Sequence, residues 1–122
     1  MNFLIIEDEV LIAKSLSKLL KAKGHDATMV HAGRDAIALI KNNNYDRIRC
    51  DLMLQDISGF DIIEESKERY NNDEISDKFI IMTAYSSGQI LERAETYSCL
   101  VLSKPFSDIS YAIETFEKGR GL

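Results

Sequence analysis

With 122 residues the chain has the size of one ordinary domain, able to bury a core without disulfide or metal staples. Apolar residues make up 45%, charged ones 29%, a soluble profile, and no apolar run approaches the roughly 18 residues a helix needs to span a bilayer, so no membrane-spanning helix is expected. The net charge of -5 argues against a sequence-independent nucleic-acid surface, which needs clustered Lys and Arg, and the opening Met1-Asn2-Phe3-Leu4 lacks the basic start of a signal peptide; the expectation is a cytoplasmic chain touching neither nucleic acid nor membrane.

Short apolar runs alternate with longer segments of helical period, which predicts parallel strands joined by crossover helices. The first strand is Phe3 to Ile6, closed by the acids Glu7 and Asp8. Ile12, Leu16, Leu19 and Leu20 recur at i, i+4, i+7 and i+8 and mark the first helix, which Gly24 stops just after Lys21 and Lys23. Ala27 to His31 reads as the second strand, and Ala36, Ile37 and Ile40 as a short second helix ending in Asn42-Asn43-Asn44. The third strand, Arg47 to Asp51, carries Arg47 and Arg49 at the parity of Asp51. Charges are rarely buried unpaired in a central strand, so both arginines are expected to snorkel or to pair with acids.

Phe60, Ile63 and Tyr70 outline a third helix that closes near Asn71-Asn72-Asp73. Phe79 to Met82 and Cys99 to Leu102 are the fourth and fifth strands. Between them Ile90, Leu91, Ala94 and Tyr97 repeat as a fourth helix; Ile109, Ala112, Ile113 and Phe116 form the fifth, with Ser107 a candidate cap. Cys50 and Cys99 lie in apolar segments and read as reduced packing groups. With no repeat or Pro-rich linker, residues 1–118 are expected to form one domain and 119–122 a tail or the start of a linker. The expected fold is α/β and flavodoxin-like: a doubly wound parallel sheet of five strands in the order 2-1-3-4-5, flanked by five helices.

Ligands of such sheets sit at the carboxyl ends of the strands, beside the switch point where the first and third strands end together. Glu7, Asp8 and Asp51 meet there. Carboxylates within about 4–6 Å of one another raise each other's pKa unless a cation intervenes, and Mg²⁺ suits oxygen donors and phosphate. Acids also favour turns in their own right, so spacing alone leaves ordinary loop carboxylates open. Lys104 follows the fifth strand on the same edge, where an ammonium can meet a phosphoryl oxygen, although most lysines are solvated surface charges. Thr83 ends Phe79-Ile80-Ile81-Met82-Thr83-Ala84 with a hydroxyl that serves either a phosphoryl oxygen or an ordinary strand-end cap.

In chain order, Ile5-Ile6-Glu7-Asp8-Glu9, the segment around Asp51, Met82-Thr83-Ala84 and Ser103-Lys104-Pro105-Phe106 resemble the receiver domains of bacterial two-component response regulators, over essentially the whole chain. The resemblance implies a signalling module rather than an enzyme. It makes Asp51 the phosphoacceptor, supplied by a sensor histidine kinase, a phosphotransfer protein or a small donor such as acetyl phosphate. It assigns Mg²⁺ to Glu7, Asp8, Asp51 and the backbone carbonyl of Met53, and the phosphoryl oxygens to Lys104 and Thr83. It also implies a downstream protein partner that reads the face of the fourth helix, fifth strand and fifth helix.

The chain departs from the family at Val101, where an aromatic usually turns inward as the threonine moves. The expectation is therefore that the loop from Ala84 to Gly88 carries the signal, with Tyr85 or Tyr97 as substitutes. Gln55 replaces a frequent proline, and Tyr97-Ser98 a frequent Gly-Ala; neither touches the chemistry. A receiver-like interaction module working without phosphorylation is the alternative, yet such versions usually lose an acid or the lysine, and all are present here. A phosphatase of the haloacid dehalogenase type would want a second acid at Met53, and a flavodoxin-like cofactor binder would not set Glu7-Asp8-Glu9 against a phosphate.

Overall fold

The computed structural model describes residues 1–106 and 108–118. Along the chain run β1 (Asn2–Ile6), α1 (Val10–Ala22), β2 (Asp26–Val30), α2 (Gly33–Asn42), β3 (Arg47–Asp51), α3 (Gly59–Ser66), α4 (Asn72–Lys78), β4 (Phe79–Thr83), α5 (Gly88–Thr96), β5 (Leu100–Ser103) and α6 (Ile109–Glu117). The five strands form one parallel sheet in the order β2-β1-β3-β4-β5, as expected. In register, Ile6 lies opposite Cys50, Asp51 opposite Met82 and Thr83 opposite Ser103. The chain therefore leaves β1, β3, β4 and β5 at one edge, which is where the site forms.

Alternate side chains along each strand feed opposite faces of the sheet. On one face Leu4, Ile6, Ile48, Cys50 and Ile81 pack with Ile40 of α2 and Phe60, Ile62 and Ile63 of α3. On the other, Phe3, Ile5, Ile80 and Met82 pack with Leu16 and Leu20 of α1 and Ile113 and Phe116 of α6. Full burial of each such side chain is worth about 1.5–3 kcal/mol, which is why the apolar stripes of the helices face inward. Gly24 ends α1 at φ +91°, its N–H donating to the Lys21 carbonyl at 3.0 Å, a left-handed position where glycine escapes the Cβ penalty.

Two expected strands shift by a residue: β2 ends at Val30, leaving His31 in the following loop, and β5 begins at Leu100, after Cys99. A larger correction concerns the helices, which number six rather than five among the described residues. The third helix stops at Ser66, well short of Asn71, and a separate α4 begins at Asn72. Asn71 accepts the Glu74 N–H at 2.8 Å while the Glu74 carboxylate accepts the Asn71 N–H at 3.2 Å, a reciprocal cap that starts a new helix. Ile75 is its one buried anchor, so the segment has no apolar period to read. Ser107 lies outside the described residues; the side chain that caps α6 is Asp108, accepting the Tyr111 N–H at 3.1 Å.

Arg47 pairs with Asp77 at 3.2 Å, as expected. Arg49 does not snorkel: it is fully buried, donates to the Lys78 carbonyl at 2.6 Å and to the Phe116 carbonyl, and lies 5.7 and 5.8 Å from the ring centres of Phe3 and Phe116. Helix-end carbonyls and aromatic faces take the place of an acid. Burial, with Arg47 adding to it, lowers its pKa to about 9, so it stays charged at neutral pH. Cys50 and Cys99 are both buried. Among the described residues no helix is long and apolar enough to cross a membrane.

Candidate functional site

Glu7 continues β1 by donating its N–H to the Val30 carbonyl at 3.0 Å, which carries its side chain over the end of β3. Asp51 is the last residue of β3, and Glu7 and Asp51 are both buried while Asp8 is half-buried. One carboxylate oxygen from each of Glu7, Asp8 and Asp51 lies within 4.8 Å of the others. Lys104 enters from β5, its N–H donating to the Thr83 carbonyl at 2.8 Å, and the Lys104–Pro105 peptide is cis. Its Nζ stands 2.6 Å from Glu7 Oε1, 3.3 Å from Asp51 Oδ2 and 4.0 Å from the Glu9 carboxylate. A cleft of about 260 Å³ opens over this group, lined by Asp8, Glu9, Asp51, Met53, Ala84, Tyr85 and Lys104.

Burial raises the Glu7 pKa to about 7, Lys104 pulling it back and Asp51 pushing it up. Burial likewise raises Asp51, against the Glu7 carboxyl, the Lys104 charge and the Met53 N–H, which donates to it at 3.3 Å. For Lys104 burial acts downward, but Glu7 and Asp51 more than offset it and its pKa is raised. Crowded carboxylates facing one ammonium form an all-oxygen donor set short of positive charge, and that fits a hard divalent cation such as Mg²⁺.

Glu7, Asp8, Asp51 and Lys104 are thus brought together as the sequence suggests, and Met53, 58% exposed, lies on the rim of the same cleft. Thr83 is engaged elsewhere. Its buried hydroxyl donates to the Tyr85 carbonyl at 3.1 Å and accepts the Tyr85 N–H at 3.0 Å, so it ties down the loop that follows β4. Val101 is half-buried opposite Ile81. Tyr85 is exposed at the cleft, whereas Tyr97 stacks on Phe60 at 6.0 Å and donates to Glu64 at 2.6 Å, joining the end of α5 to α3.

Three contributors were not singled out from the sequence. Glu9 faces Lys104 and donates its N–H to Glu7 Oε2 at 3.2 Å; it stands beside Glu7 and Asp8 in the sequence, so its signal was visible. His31 Nδ1–H donates to the Glu7 carbonyl at 2.9 Å, and Asp56 accepts the first amides of α2 at 2.9 and 3.0 Å. Neither contact has a local sequence signal, because each partner arrives through sheet order.

A doubly wound parallel sheet with acids at the ends of its first and third strands and a lysine after its fifth defines a receiver-like α/β domain. Residues 3–114 match the model of the response regulator receiver domain, and the chain belongs to that family, a module of two-component systems. The transcriptional regulatory protein ZraR of Salmonella typhimurium is 30% identical over 118 residues, 96% of this chain and 26% of ZraR; the chain spans about a quarter of the length of the curated relatives it matches. The receiver domain of a Francisella response regulator is 25% identical with a TM-score of 0.81, covering 95% of this chain and 93% of that one. Response regulator TrrA of Thermotoga maritima, solved in complex with Mg²⁺ and BeF, shares the fold at 21% identity and a TM-score of 0.72, covering 94% of this chain and 97% of TrrA.

Proposed function

We propose that residues 1–118 act in the cytoplasm as one phosphoacceptor receiver, with Asp51 taking a phosphoryl group from a sensor histidine kinase or phosphotransfer protein in a Mg²⁺-dependent step. The observation that carries this reading is the buried Asp51 carboxylate on the floor of an acidic cleft with Lys104 3.3 Å away. The TrrA complex with Mg²⁺ and BeF supports it by analogy. An Asp51 oxygen attacks the phosphorus of a phosphohistidine, the P–N bond breaks with its electrons going to the imidazole, and an acyl phosphate remains on Asp51. Glu7, Asp8, Asp51 and the Met53 carbonyl would hold Mg²⁺, which when bound offsets charge on the phosphoryl oxygens. Lys104 stands beside Asp51 and adds a second positive charge without having to move in. Because Asp51 is itself modified, the chain acts as a stoichiometric carrier of the phosphoryl group.

To reach a phosphoryl oxygen Thr83 must give up the Tyr85 carbonyl, which frees the loop from Ala84 to Gly88. That displacement reaches the face built from α5, β5 and α6, where a partner protein with different affinity for the two loop states reads it. Intact mass after incubation with acetyl phosphate and Mg²⁺ tests the central claim. One added phosphate is expected on the wild type and none on Asp51→Ala; no gain on the wild type, or an equal gain on the variant, overturns it.

A further inference from the structure

Resting on the receiver reading, we infer that Asp56, working with Gly33, is a positioning residue for the Mg²⁺ site, fixing the loop that carries Met53 by holding it to the start of α2. Met53 is the one proposed ligand that contributes a main-chain oxygen. A side-chain ligand can adjust by changing rotamer; a carbonyl points where its loop points. The loop from Leu52 to Ser58 is therefore part of the metal site in its own right.

Within the loop, Gly59 donates its N–H to the Leu52 carbonyl at 2.9 Å and Met53 bridges to Ser58, which closes the turn but does not orient it on the domain. Orientation comes from outside. Asp56 Oδ1 accepts the Gly33 N–H at 2.9 Å and Oδ2 accepts the Arg34 N–H at 3.0 Å, so one carboxylate spans two successive amides at the start of α2. Ala32 at the N-cap offers that helix no side-chain acceptor, and Asp56 supplies it from 23 residues away. The two amides, Arg34 foremost, hold the Asp56 carboxyl below its ordinary range.

Gly33 makes the approach possible. A Cβ there would lie 2.4 Å from Ile57 Cγ1 and 3.2 Å from Asp56 Oδ1, so a larger residue requires the Ile57 side chain to shift and crowds the Asp56 carboxylate. Two residues earlier, His31 holds the Glu7 carbonyl at 2.9 Å. The short segment from His31 to Arg34 thus grips the β1 side of the site through Glu7 and the β3 side through Asp56, and it sets the spacing between the two groups of ligands.

The test is an NMR-detected Mg²⁺ titration of the wild type, Asp56→Ala, Asp56→Asn and Asn71→Ala. Asn71→Ala removes a helix cap of the same kind from α4 and serves as the control. Asp56→Ala is expected to weaken Mg²⁺ about 10-fold, the size of effect seen when groups supporting metal ligands are lost. Asp56→Asn, which keeps one acceptor oxygen, should fall between it and wild type, and Asn71→Ala should match wild type. Excess Mg²⁺ should return phosphorylation of Asp56→Ala by acetyl phosphate to the wild-type level. Equal Mg²⁺ affinity in wild type and Asp56→Ala overturns the inference while leaving the receiver reading intact, as does an equal loss in Asn71→Ala. A wild type that binds no Mg²⁺ overturns the receiver reading, and this inference with it.

Discussion

Glu7 stands in a wholly buried position with a pKa near 7, above its ordinary 4.5. A carboxyl whose folded pKa is raised contributes stability that is complete below the unfolded value and is lost as pH rises through the folded one. Asp51, also raised, acts with the same sign. The thermal midpoint of the metal-free protein is therefore expected to fall from pH 4.5 toward pH 7 and to level off above it, as followed by circular dichroism. Glu7→Gln should flatten that slope, and a slope unchanged in the variant would assign the effect to other groups. Thr83 makes a second residue-scale prediction. Thr83→Ala removes both contacts with Tyr85, costs about 1 kcal/mol and should speed amide exchange from Ala84 to Gly88 before any phosphorylation. Beryllofluoride should then shift those amides less than in wild type.

Among the elements, α6 depends on a residue from the middle of the sheet. Arg49 reaches from β3 to the Phe116 and Lys78 carbonyls, at the ends of α6 and α4, so the strand that ends in Asp51 also secures the last turns of two helices. Arg49→Met keeps the bulk but leaves those carbonyls without a donor; the loss should be about 2–3 kcal/mol, since each orphaned group costs about 1–3 kcal/mol and removal of a buried cation returns part of it. Hydrogen exchange should rise across α6, and protection equal to wild type would mean that packing alone holds the helix. On the other side, α3 begins with Gly59, whose missing Cβ would lie 2.9 Å from the Asp51 carbonyl, followed by Phe60, on which Tyr97 stacks. Tyr97 thus belongs to the α3–α5 contact, away from the threonine loop, and Tyr85 is the aromatic left at the cleft.

For the molecule as a whole, the crowded acids trade stability for a site that a cation can complete. Mg²⁺ bound only by the folded chain should stabilise it by about 1.4 kcal/mol at ten times Kd, seen as a rise in thermal midpoint that chelation reverses. The rise should be larger at pH 8 than at pH 5, where protons compete for Glu7 and Asp51, and smaller in Asp51→Ala. An equal rise in that variant would place the ion elsewhere. Much of the architecture was legible in the chain because it is written locally. Strands β1, β4 and β5 announce themselves as short apolar runs, the acids and Lys104 follow directly in sequence, and the crossover pattern admits few sheet orders. Helix α4 escaped because Ile75 alone carries its packing, and its cap, Asn71 with Glu74, was the one available sign. By itself the sequence determined a doubly wound sheet with acid, hydroxyl and lysine at one edge, since periodicity and strand ends are properties of neighbours along the chain. Only the tertiary structure decided that Arg49 is met by carbonyls 29 and 67 residues away, that Asp56 caps α2, and that Thr83 rests on Tyr85. Those contacts depend on register and on which donors lack a partner after the sheet is built, and no short stretch of sequence contains both sides of that balance.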